Sequence, residues 1–127
     1  MIKYTFPLLL LCSFSACMPT VTQKLKGTWA MQQVYDNSTD VTVKYNPKRD
    51  RWITFYKDGS FKSGGTAYGE NSGKWTFYKS DNILFLDRAA GVEDDNYWVL
   101  QIKKEEMNWS GARSSFTERF RVTFSRR

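Results

Sequence analysis

From Thr28 onward the chain is a succession of short runs in which apolar and polar residues alternate: Thr28 to Tyr35, Trp52 to Tyr56, Ser60 to Gly64, Gly73 to Tyr78, Ile83 to Asp87, Tyr97 to Lys103, Met107 to Gly111 and Thr117 to Ser125. Each is rich in aromatic or β-branched residues, and Gly, Asp, Asn and Ser punctuate the intervals. No stretch holds a helical period. Trp75 and Phe77, Ile83 and Phe85, Trp98 with Leu100 and Ile102, Met107 and Trp109, and Phe120 with Val122 and Phe124 form one side of their runs. The other sides carry residues such as Thr76, Gln101, Asn108, Arg121 and Thr123. One-sided strands predict an antiparallel sheet that buries one face. With no helix to cover that face, the sheet must close as a sandwich or barrel, and short sequential hairpins favour an all-β, antiparallel up-and-down barrel of eight strands.

The turn at Lys57-Asp58-Gly59 can be read to the register. A two-residue Asp58-Gly59 loop sets Phe55 opposite Lys62 and mixes an apolar face with a charged one. A three-residue loop with Gly59 left-handed sets Phe55 opposite Phe61 and Ile53 opposite Ser63, keeping the apolar residues together. The second register is the expected one.

The start of the chain is of another kind. Lys3 supplies a positive charge, Pro7 to Cys12 an apolar stretch, and Ser15 and Ala16 are small residues before Cys17, the order of parts of a secretory signal. The segment resembles a bacterial lipoprotein signal, in which the thiol takes a diacylglyceryl group and the chain is cut before it. That resemblance implies a signal over residues 1–16, a lipidated tether over 17–26 with Cys17 as the attachment point, and a domain over 27–127. It also implies a place on a membrane of the bacterial cell envelope, at its periplasmic or surface face. Several acyl chains anchor firmly where one is marginal, so the protein would be held on the membrane rather than pass through it.

Composition narrows the chemistry. The chain of 127 residues is long enough for one domain with one core. Its two cysteines, Cys12 and Cys17, lie in the export segment, so the body has neither a disulfide nor a thiolate metal site. It has no histidine, which removes the commonest general base, the histidine-dependent nucleophile pairs and most zinc sites. An enzyme is therefore not expected, nor a metal or cofactor. The net charge is +6, one less once Lys3 is removed, which suits phosphate-bearing partners; in an exported protein these are head groups or envelope polymers, not nucleic acid.

Leu25-Lys26-Gly27-Thr28-Trp29 opens the first strand, and Gly-x-Trp in that place resembles the opening motif of the lipocalins and their small bacterial lipocalin-like relatives. In that family the tryptophan closes the narrow end of the barrel and an arginine of the last strand packs on it, which implies Trp29 beside Gly27 with Arg121 or Arg119 as partner. The chain lacks the family's mid-chain Thr-Asp pair and its helix after the barrel, so the barrel is expected to be short and its cavity small.

Met31, Phe55, Phe61, Trp75, Phe77, Trp98, Trp109 and Phe120, together with Ile53 and Phe85, are the candidate interior. They serve either as the lining of a pocket for one small apolar or amphipathic molecule or as the filling of a closed barrel. The first alternative gives a monomeric, membrane-anchored, non-catalytic binding protein. The second gives an envelope interaction module, an inhibitor or assembly accessory, that works through loops and residues such as Arg88 and Lys104. Glu93-Asp94-Asp95-Asn96 matches no calcium loop and reads as a solvated turn. The glycine-rich Ser63 to Gly73 segment lacks the following helix of a phosphate loop and reads as a loop at the barrel mouth.

Overall fold

In a computed structural model, which describes residues 20–66, 69–88 and 96–127, the chain forms a closed antiparallel barrel. Its strands are β1 (Gly27–Asp36), β2 (Thr39–Asp40), β3 (Trp52–Phe55), β4 (Ser60–Gly64), β5 (Asn71–Tyr78), β6 (Ile83–Arg88), β7 (Asn96–Lys103), β8 (Glu106–Ala112) and β9 (Phe120–Arg126). Each of β3 to β8 pairs with the next, β1 pairs with both β3 and β9, and the two-residue β2 only extends the end of β1. The barrel proper therefore has eight strands in up-and-down order. The export segment and Cys17, Asp94 with its acidic neighbours, and Ala67 and Tyr68 of the glycine-rich loop lie outside the described residues.

The hairpin between β3 and β4 has the expected three-residue loop. Phe55 faces Phe61 and Ile53 faces Ser63. Gly59 sits at φ 89°, a conformation that costs glycine little and other residues more. The Asp58 carboxylate accepts from the Ser60 amide at 2.9 Å and its hydroxyl at 2.6 Å, which fixes the turn.

Three elements differ from the alternation. The segment before β1, expected as a polar tether, contains helix α1 (Val21–Leu25), started by a capping box between Thr20 and Gln23. Helix α2 (Thr42–Tyr45) follows β2. Thr117–Arg119, expected as the start of the last strand, is a 3-10 turn, held by Ser114, whose hydroxyl accepts from the Thr117 amide at 3.1 Å. All three are too short to show a 3.6-residue period.

Two strands also carry a parity that the sequence hides. In β6 the inward residues are Leu84 and Leu86, opposite Phe77 and Trp75 of β5. Phe85, expected inside, points outward and stacks on Tyr97 at 4.6 Å. Ile83-Leu84-Phe85-Leu86 is apolar on both sides, so only pairing selects the inner face. In β1 a bulge between Met31 and Gln33 advances the register by one, and Met31 and Val34 both face inward as a result.

The lower end of the barrel is closed by α1. Leu25 and Trp29 are fully buried there, and the Trp29 indole donates to the Leu25 carbonyl at 2.9 Å. The Arg126 guanidinium lies 4.1 Å from the Trp29 ring and donates to the carbonyls of Lys26 at 2.8 Å and Lys24 at 2.5 Å. The partner of Trp29 is thus Arg126, not Arg121 or Arg119. Arg126 stands opposite Trp29 in the β1–β9 register, whereas Arg121 stands opposite Tyr35 and is exposed, and Arg119 pairs with Asp36. Arg126→Met should therefore cost about 1–3 kcal/mol in urea denaturation and Arg121→Met less than about 0.5 kcal/mol. Equal losses would contradict the assignment.

Candidate functional site

Above this closed end the barrel is hollow. A cavity of about 700 Å³ opens at the end where α2, the 3-10 turn, the end of β4, the end of β6 and the start of β7 lie. It is within the range of about 300–1,000 Å³ usual for sites that enclose a small organic ligand.

The candidate interior divides between the two halves. Met31, Phe61, Trp98, Trp109 and Phe120 line the cavity. Phe55, Trp75 and Phe77 do not: Phe55 packs edge-on against Trp75 at 5.9 Å within the core, and the partly buried Phe77 packs against that core. Trp98 and Trp109 lie 5.4 Å apart, and Trp109 reaches Phe124 at 4.5 Å, so Trp109 forms the boundary between filling and cavity. The indole N–H groups of Trp98 and Trp109 are buried with no hydrogen-bond partner among the described residues. Each is a desolvated donor, a cost of about 1–3 kcal/mol in the cavity wall.

Side-chain size falls toward the mouth on three of the strands. Inward positions at the lower level hold Phe61, Trp75 and Trp109; one step higher on the same strands stand Ser63, Gly73 and Gly111. Both glycines are required by close backbone approach, since a Cβ on Gly73 would collide with the Asp87 carbonyl and one on Gly111 with the Thr117 carbonyl. The segment Ser114–Thr117 thereby folds over the mouth as a lip, with Phe116 64% exposed at its edge.

Alternation does not stop where the apolar residues do. Arg51 shares the parity of Ile53 and Phe55, Arg88 that of Leu84 and Leu86, and Asn96 that of Trp98 and Leu100. With Ser63 they give the cavity a polar collar, and all four belong to its lining. This collar was not anticipated: Arg51 lies outside the expected strand, and the wrong parity in β6 puts Arg88 outside. Extending the period by one inward position in each strand would have found both. Arg113 also reaches the rim, but its guanidinium lies 4.6 Å from the ring of outward-facing Tyr97 and 3.6 Å from Asp81.

Asn46 holds the collar in place. It is 1% exposed; its side-chain amide donates to the Met31 carbonyl at 3.1 Å, and its side-chain oxygen accepts from the Arg51 amide at 3.1 Å. Arg51 in turn donates from Nη1 to the Tyr45 carbonyl at 3.0 Å. Nearby, Asp50 accepts from the Thr66 hydroxyl and, at 3.0 Å, from the Thr66 amide, and these bonds hold its carboxyl below the usual carboxylate range.

The described residues contain no cluster able to hold a metal ion and no helix long and apolar enough to cross a membrane. No family model matches the chain, and no curated protein matches it. Among solved structures it is similar to a DUF4847 family protein from Bacteroides vulgatus ATCC 8482, with a TM-score of 0.56 and 13% identity over 80% of this chain and 92% of that one. At that identity the likeness establishes a shared fold and nothing about activity.

Two measurements test the mouth. Asn46→Ala leaves the Met31 carbonyl and the Arg51 amide without their buried partner and should cost about 1–3 kcal/mol of stability by urea denaturation. A lowered pKa means that the Asp50–Thr66 anchor is present above the unfolded-state value and lost as the pH falls through the folded-state one. The exchange protection of the Thr66 amide should fall over that interval, and Asp50→Asn should remove the step.

Proposed function

We propose that this protein is a membrane-anchored, lipocalin-like binding protein that takes up one small apolar or amphipathic molecule and has no catalytic role. The observation that carries this reading is the partition of one barrel into a packed base and a hollow of about 700 Å³ walled by Met31, Phe61, Trp98, Trp109 and Phe120.

The lipocalin-like character is supported by Gly27 and Trp29 at the entry to β1, with a last-strand arginine packed on the tryptophan. Anchoring is supported by the lipoprotein-like segment ending in Cys17, and it has a geometric corollary. The described chain begins at the closed base, so a tether attached there leaves the mouth at the opposite end. The ligand would then be exchanged from the side away from the attachment point.

Every element of the barrel and its plug lies within residues 20–127, so a form beginning at Met18 should fold. Native mass spectrometry of that form, purified without detergent, should show a retained apolar species or uptake of an added one. A preparation with no bound mass and no uptake would sink the binding reading. Separately, labelled palmitate should enter the full chain in a bacterial host and fail to enter Cys17→Ser; incorporation in the variant would rule out the anchor.

A further inference from the structure

We propose that the polar collar selects the ligand's head group, and that the bound molecule is an amphiphile with an anionic head at Arg88 and Arg51 and an apolar tail directed down toward Trp109. The proposal rests on the ligand-binding reading and adds a charge and an orientation to it.

The sign comes from the lining. Among the described residues, those around the cavity include the inward-facing Arg51 and Arg88 and no Asp or Glu. A buried or half-buried cation beside apolar groups is costly unless an anion answers it. Arg113, Arg119 and Arg126 each have a carboxylate, in Asp81, Asp36 and Glu105 respectively. Among the described residues Arg88 forms no such pair, although the two-residue step from Leu86 carries it to the mouth of the hollow.

The orientation comes from the layering. Below the collar the wall is Phe61, Leu86, Trp98 and Trp109, which offers a tail apolar and aromatic surface. Ser63 and Asn96 stand at the level of the arginines and can donate to head-group oxygens. An arginine fork meets carboxylate or phosphate oxygens in two parallel hydrogen bonds, and its attraction is strengthened where water is partly excluded. A cationic amphiphile would place like charges together at the mouth, and a neutral one would leave the guanidinium unanswered. The shared chemistry is therefore one anionic head on one apolar tail, whether the head is the carboxylate of a free fatty acid or the phosphate of a lipid.

The test uses four probes with the same dodecyl chain, each below its micelle threshold: dodecanoate, dodecyl phosphate, dodecanol and dodecyltrimethylammonium. Titration into the form beginning at Met18, followed by tryptophan fluorescence or calorimetry, should show at least one anion binding about tenfold or more tighter than dodecanol, about one factor of ten being the effect of a single well-placed charged contact. The cationic probe should bind weakest. The better of the two anions identifies the carboxylate or the phosphate source. Arg88→Met should bring the preferred anion down to the level of dodecanol while dodecanol itself is unchanged, and Arg88→Lys should keep part of the preference. A melting temperature close to that of the unaltered protein would separate this loss from misfolding.

Equal binding of dodecanol and both anions, or an anion preference that survives Arg88→Met, would overturn the anionic-head assignment and leave the cavity reading standing. Binding of none of the four probes would overturn both.

Discussion

The barrel depends on the contact of Arg126 with Trp29. A barrel closed by hydrogen bonding has two open ends, and a short chain has few side chains with which to fill both. Here one residue pair serves the base in three ways. The Trp29 ring fills the interior, its indole N–H takes a carbonyl at the end of α1, and the Arg126 guanidinium covers the ring while taking two more carbonyls of the same segment. The last carbonyls of any helix lack partners within it, so α1, only five residues long, gains a terminus it cannot supply itself. Because Trp29 and Arg126 stand opposite each other in the β1–β9 register, this contact also fixes the pair of strands that closes the barrel.

With the base closed in this way, the mouth need not be filled. Core packing at native density requires that each inward position be occupied, and here Phe55 and Trp75 pack together in the base, while Trp98 and Phe120, each one inward step above Trp109 in the register, stand in the cavity wall. Toward the mouth Ser63 lines the hollow on β4, and on β5 Gly73 lets the backbone of β6 approach, since a Cβ there would collide with the Asp87 carbonyl. What maintains the hollow is then a set of backbone bonds rather than apolar contact: Asn46 ties β1 to the residue preceding β3, and Ser114 turns its segment over Gly111. Polar scaffolding of a mouth and apolar filling of a base are complementary solutions to the shortage of residues in a domain of this size.

Much of this was legible in the alternation. The eight barrel strands, their order and the register of the β3–β4 hairpin follow from a period of two and one turn sequence, because a one-residue slip would move every apolar side chain to solvent. The Gly27–Trp29 start pointed to the closed end. The rest was illegible for identifiable reasons. Arg126 was passed over for Arg121 although the parity of Phe120, Val122 and Phe124 already turns Arg121 outward; the expected last strand stopped at Ser125, one residue short of the inward arginine. The run of four apolar residues in β6 carries no parity of its own. Asn46 lies in a loop-like stretch of sequence, and nothing about it distinguishes a buried asparagine from a solvated one.

The bulge in β1 connects these points. Without it, strict alternation from Trp29 and Met31 would bring Gln33 and Tyr35 to the interior and turn Val34 outward. The extra residue moves the upper half of β1 by one position, so that Val34 faces Val122 across the cavity wall, and Tyr35 faces Arg121 on the polar outside. The lower half keeps Trp29 against Arg126. One inserted residue therefore lets a single strand satisfy a base whose register is set by the tryptophan and a mouth whose lining must be apolar, while the alternation of β9 itself, with Phe120, Val122 and Phe124 inward, leaves Arg121 on the surface and brings Arg126 to the base.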